Sequence, residues 1–147
     1  MSSEDNKKLA HRYFDEFCNG RRLDIADELF SRDHQFHDPA IPGASPGPEG
    51  MKQTIAVYHQ GFPDVHWQIN EMLATDDTVV TRWTGSGTQT NELAGNPPIP
   101  PTGKKATVEG IMMNRIAGGK IVESWEIWDT LGMLRQLGVL PTPVATS

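Results

Sequence analysis

The residues of this chain best suited to chemistry are carboxylates set among apolar neighbours. Glu126 stands in the strand-like run Lys120 to Trp128, close to Trp125, Ile127 and Trp128. Burial lifts a glutamate carboxyl from its ordinary pKa of about 4.3, by up to several units when complete, toward the range where it exchanges protons at neutral pH. Forming and quenching an enolate needs a group of that kind. Asp38, directly before Pro39, is the second candidate, and the alternative for it is a turn residue bonding its own loop backbone. Asp129 follows the run and precedes Thr130-Leu131, the place of an N-cap on a last helix. His34 and His37 point to opposite faces of a short strand, and no Cys or further His cluster completes a ligand set, so no metal is expected. Cys18 follows Phe14 and Phe17 at helical spacing and reads as a buried structural thiol.

These groups must be placed by helices first and strands afterwards. Leu9, Ala10, Tyr13, Phe14, Phe17 and Cys18 form a stripe at helical period that stops at Gly20, and Leu23 to Phe30 continues the period as a second short helix. His34 to Asp38 reads as a brief strand entering the Pro/Gly-rich loop Pro39 to Gly47. Pro48 suits the first turn of a third helix, whose apolar face is Met51, Ile55, Val57, Tyr58 and Phe62. From Val65 onward the chain alternates: Val65 to Asn70, Thr78 to Thr90, and a hairpin of Lys104 to Ile116 and Lys120 to Trp128 around Gly118-Gly119, interrupted by the proline loop Asn96 to Pro101. Thr130 to Leu137 makes a last helical turn or two. The order predicts one α+β domain over residues 1–147, with its core at about 7–140, in which three N-terminal helices cover a strongly curved, mainly antiparallel sheet.

Several short motifs in fixed order resemble the SnoaL-like polyketide cyclase family: His37-Asp38-Pro39, Gly47-Pro48-Glu49-Gly50, Phe62-Pro63-Asp64, Pro101-Thr102-Gly103-Lys104, Gly119-Lys120-Ile121-Val122-Glu123 and Leu134-Arg135-Gln136-Leu137-Gly138. The resemblance runs from Tyr13 to Gly138. It implies the cone-shaped fold of the NTF2-like proteins, with an apolar pocket, and a cofactor-free enzyme closing a polyketide ring by intramolecular aldol condensation. It also implies that Glu126 takes the place of the catalytic aspartate on the last strand. Gly110 and Met112 then stand where the type cyclases carry a glutamine and a histidine, and Asp38 where they carry an asparagine. Ketosteroid isomerases, which share the fold, have a general base in an Asp-Pro context like that of Asp38 and an oxyanion tyrosine that Tyr13 resembles, but Met112 replaces their second oxyanion donor. The Asp-Arg-Asp set of limonene epoxide hydrolases is absent from Arg82-Trp83-Thr84-Gly85.

The hairpin decides which way Glu126 points. A two-residue turn pairs Met112 with Trp125 and leaves Glu126 on the opposite face, whereas a three-residue loop Ala117-Gly118-Gly119 pairs Met112 with Ser124 and Gly110 with Glu126. The family resemblance favours the second, in which Gly110 leaves space opposite Glu126 while Met112 and Trp128 give apolar surroundings. The expected site therefore has Glu126 and Asp38 as catalytic residues, Glu126 taking and returning the proton and Asp38 positioning the carbonyl or a water or sharing that proton, with Tyr13, Phe36, Trp83, Gly110, Met112 and Trp128 as substrate-binding residues. Phe36, Trp67 and Trp83 read as core or pocket wall, with core the favoured alternative for any one of them. A non-catalytic binding domain of the same fold is the competing reading.

Composition narrows the partners. Nineteen acidic against thirteen basic residues give a net charge of -6, with no Lys/Arg cluster to follow a phosphate backbone, so nucleic acid is not expected. No run of about 18 apolar residues is present to span a bilayer and the N-terminus lacks a signal-like stretch, so a cytoplasmic protein is expected. The expected ligand is a small apolar carbonyl compound. Ile111, Met113 and Trp125 on the outer sheet face predict a homodimer or homotetramer.

Overall fold

Ser2 begins the first helix by accepting a hydrogen bond from the Asp5 amide at 3.1 Å, with Glu4 and Asp5 favourably placed in the first turn. In the computed structural model, which describes residues 2–140, α1 (Ser3–Arg12) continues directly into a π-helical stretch, Tyr13–Asn19. Met1 and residues 141–147 of the expected domain lie outside the described residues. The wider π turn keeps Tyr13, Phe14, Phe17 and Cys18 all buried, and Gly20 closes it by donating to the Asp15 carbonyl at 2.9 Å.

The second helical segment is shorter than its periodicity predicts. A 3-10 turn, Leu23–Ile25, leads into α2 (Ala26–Leu29), and Phe30 already belongs to β1 (Phe30–His37). Apolar residues that continue a helical stripe also suit a buried strand start, and β1 begins four residues before the expected position because its parallel partner strand extends that far. Next come α3 (Gly47–Gly61), β2 (His66–Ala74), β3 (Thr78–Thr88), β4 (Lys105–Ala117), β5 (Lys120–Trp128) and α4 (Thr130–Gln136). Pro48 occupies the first turn of α3, where its missing N–H costs nothing.

The strands form one sheet in the order β1-β5-β4-β3-β2, antiparallel except for the β1–β5 pair. It is curled and remains open. Bulges at Asn70 in β2 and Val122 in β5 interrupt the ladders and add local bend and twist. The concave face packs on the helices through Phe14, Phe17, Phe30, Met51, Ile55, Val79, Met112 and Ile121, and a smaller cluster of Phe62, Leu93, Ala106, Met133 and Leu137 joins α4 to the other end of the sheet.

The hairpin combines features of both expected alternatives. Gly118 and Gly119, with φ of +60° and +77°, make a two-residue turn that pairs Ala117 with Lys120 and Ile116 with Ile121. Val122 then bulges out, so that Arg115 pairs with Glu123, Met112 with Glu126 and Gly110 with Trp128. The expected pairing of Gly110 with Glu126 is thus corrected by two residues. The bulge restores the side-chain parity that a plain two-residue turn would lose, and Glu126 lies on the concave face with Met112.

Candidate active site

Glu126 enters the cone from β5, and three neighbouring strands define its surroundings. Thr81, Met112 and Glu126 form one cross-strand row, while Trp83, Gly110 and Trp128 form the next. Trp83 lies across β4, and its indole Nε1 donates to Glu126 Oε2 at 3.0 Å. Gly110 is what permits this. A Cβ there would stand 2.3 Å from Cζ2 of Trp83 and 2.7 Å from Cβ of Trp128. The gap expected opposite Glu126 is therefore occupied by the Trp83 ring.

A narrow cavity opens beside this carboxyl, with about 630 Å³ of space between its atoms, part of it continuous with solvent. Tyr13, Tyr58, Trp67, Trp83, Glu126 and Trp128 are among the residues that line it, and the other walls are largely apolar. The surface that Glu126 retains faces this cavity. Desolvation first, and then the negative charge of Asp38, push its carboxyl up to about 8 against the opposing bond from Trp83. Ionisation is thus delayed into the mildly alkaline range.

Asp38 directly follows β1 and is 6% exposed. Its Oδ1 accepts from the Ala40 amide at 2.8 Å, the expected turn contact, and its Oδ2 accepts from the Trp128 indole at 3.2 Å. Burial raises its carboxyl despite both bonds. The two carboxylates thus have parallel settings, each holding one indole N–H. Asp38 itself lines a second cleft with Phe36, His37, Trp125 and Ile127, between the end of β1 and the loop after it, and Trp128 stands between that cleft and the main cavity.

Of the residues expected at the site, Tyr13, Trp83, Trp128 and Glu126 line the main cavity together. Phe36 and Asp38 line the neighbouring cleft instead. Met112 is fully buried beneath Glu126 and Gly110 is filled over by Trp83, so both support the cavity wall rather than line it. Asp129 caps α4, accepting from the Gly132 amide at 2.9 Å. His34 is buried and bonds Ser124 Oγ at 2.9 Å, while His37 on the other face bonds Glu123 at 2.7 Å. Ser124 in turn donates to the side-chain Oδ1 of Asn114 at 2.7 Å, so its oxygen receives the Nε2–H of a neutral His34. Burial holds His34 down to about 4, in keeping with that neutral form. Among the described residues no group of three His, Cys, Asp or Glu side chains gathers to hold a metal ion.

One lining residue, Tyr58, was absent from the expected site. It sits three residues after Ile55 on the core-facing stripe of α3, packs edge-on against Trp128 with ring centroids 5.8 Å apart, and lies near both carboxylates, whose charges add to burial in raising its phenol. Its hydroxyl was the signal available in the sequence: it is the polar end of an otherwise apolar stripe.

The curled sheet, its helical cover and the carboxylate on the last strand define an α+β cone of the NTF2-like kind. The chain belongs to the SnoaL-like polyketide cyclase family, whose sequence profile matches residues 8–137. TsrD from Streptomyces laurentii has a similar structure, with a TM-score of 0.81 and 25% identity over 95% of this chain and 99% of that one. IdmH, a candidate polyketide cyclase from Streptomyces antibioticus, is 31% identical over 90% of this chain and 97% of its own, with a TM-score of 0.75. AclR from Streptomyces galilaeus, a candidate hydroxylase, shares the fold at a TM-score of 0.80 and 24% identity over 95% of this chain and 100% of its own. No curated protein matches the chain. Among the described residues no helix is long and apolar enough to cross a membrane.

Proposed function

We propose that this protein is an enzyme that moves a proton at carbon, next to a carbonyl, in a medium-sized apolar substrate of the polyketide type. The observation that carries the reading is the Glu126 carboxyl, held by the Trp83 indole inside an apolar cavity and pushed up to about 8. Ionised Glu126 takes a proton from the substrate carbon; the C–H pair passes into the carbonyl and a negative oxygen results. In an aldol closure the enolate carbon then bonds a second carbonyl carbon, and the new alkoxide takes the proton back from Glu126. A carboxyl tuned this way serves both halves of the cycle near neutral pH. Asp38 adjusts the charge balance, and the aromatic walls hold the ring system by burial. Family membership and the likeness to IdmH support ring closure as the reaction class.

A second reading is a non-catalytic binding domain of the same fold. It is favoured by the indole bonds, which satisfy one oxygen of each carboxylate within the protein. Hydrogen–deuterium exchange at the α-carbon of 2-tetralone, followed by NMR in D2O, separates the two readings. The enzyme reading expects exchange above the buffer rate and its loss by about 100-fold or more in Glu126→Gln. Binding of 2-tetralone without faster exchange would support the binding domain.

A further inference from the structure

The hydroxyl of Tyr58 has no role in the steps above. Four side chains with polar hydrogens crowd the carboxylates: the indoles of Trp83 and Trp128 and the phenols of Tyr13 and Tyr58. Both indoles are engaged, Trp83 with Glu126 and Trp128 with Asp38. The Tyr13 phenol lies beside the Cys18 thiol, which the π-helical stretch places five residues on. Tyr58 has no such neighbour, makes no hydrogen bond to a described residue, and lines the cavity next to the proton-carrying carboxyl. A free phenol O–H beside an apolar cavity is a ready donor, and the oxygen of a bound ligand is a group that can accept from it.

We infer that Tyr58 is the substrate's carbonyl anchor: its O–H donates to the carbonyl oxygen that becomes negative while Glu126 holds the proton from the neighbouring carbon. The inference rests on the proton-transfer reading and deepens it. Tyr58 fits the task in three ways. It stands on α3, across the cavity from the strand that carries Glu126, so a substrate placed between them meets the acid/base group and the donor on different sides. Its ring is fixed edge-on against Trp128, which keeps the hydroxyl directed without a further bond. Its phenol stays protonated, because burial and both carboxylates oppose its ionisation. A donor placed where charge develops stabilises the enolate-like state more than the ketone, so the contact belongs to catalysis as well as to binding.

The test compares 2-tetralone, whose only polar atom is an acceptor oxygen, with tetralin, its hydrocarbon counterpart, at pH 9, where Glu126 is ionised and cannot donate. Affinities for the wild-type chain and Tyr58→Phe are read by NMR titration, together with the shift of a 13C-labelled carbonyl. Tyr58→Phe is expected to weaken 2-tetralone by about fivefold to twentyfold, to leave tetralin within about twofold, and to remove the downfield carbonyl shift. Equal loss for both ligands, no loss for either, a carbonyl shift that survives the substitution, or no binding of 2-tetralone to the wild-type chain would each overturn the assignment. A carbonyl shift that depends on Tyr58, with no exchange at the α-carbon, would uphold the anchor while removing the proton-transfer reading.

Discussion

Glu126 is protonated more readily in the folded chain than in the unfolded one, and the consequence for stability has a definite sign. Its carboxyl rises from an ordinary 4.5 to about 8. The stabilisation from the tighter proton is fully present below about pH 4.5 and is lost as pH rises through about 8, where the folded chain must hold a buried negative charge. Glu126→Gln cannot ionise and keeps an oxygen for the Trp83 indole. Urea unfolding should therefore find the variant close to wild type near pH 4 and more stable at pH 9, by on the order of a few kcal/mol. A difference that shrinks with rising pH would contradict burial as the cause. At this scale the sequence was informative about residue type and poor about neighbours. An acid among Trp125, Ile127 and Trp128 marked Glu126, whereas the bonds from Trp83 and Trp128 depend on strand pairings that no local pattern encodes.

The glycine in the middle of β4 shows how an element positions the candidate acid/base group. Trp83 reaches Glu126 because Gly110 offers no side chain between them. Gly110→Ala forces a methyl group against the indole and the Trp128 Cβ, and its expected cost is about 1–3 kcal/mol, with displacement of Trp83 from Glu126. The indole N–H resonance of Trp83 reports this directly. An unmoved resonance at unchanged stability would mean that the indole does not depend on Gly110. Element types and most of their bounds follow from periodicity, glycine and proline, as in α3 after Pro48 and the hairpin at Gly118-Gly119. The Val122 bulge left no such mark, because one extra residue in a strand changes parity without changing composition. Phe30 was misplaced for a related reason: an apolar residue at the end of a helical stripe serves a strand equally well.

On the scale of the whole molecule, the convex face of the sheet carries an apolar band. Trp125, Met113, Val80 and Leu73 are successive partners across β5, β4, β3 and β2, and Ile127 and Ile111 pair in the adjacent row at 64% and 50% exposure. Charges of both signs border it, with Arg82 near Glu71 and Glu109 on one side and Arg115 and Glu123 on the other. We propose that a second copy covers this band about a two-fold axis, an arrangement in which such mixed borders can complement themselves. Light scattering at micromolar concentration should give a dimer or a multiple of it for the wild-type chain and a monomer for Ile127→Lys. A wild-type monomer would leave the band without its proposed cover. The α+β cone itself was legible from the order of helices and strands, while the second cleft at Asp38 was not, since it forms where the end of β1, β5 and the loop after β1 meet.

The central claim, that Glu126 carries the proton, is tested most directly by the pH dependence of α-carbon exchange in 2-tetralone. The wild-type rate should rise with pH and level off with an inflection near 8, and Glu126→Gln should flatten the profile to the buffer rate. An inflection near 4.5, or a wild-type profile that survives the substitution, would contradict the account.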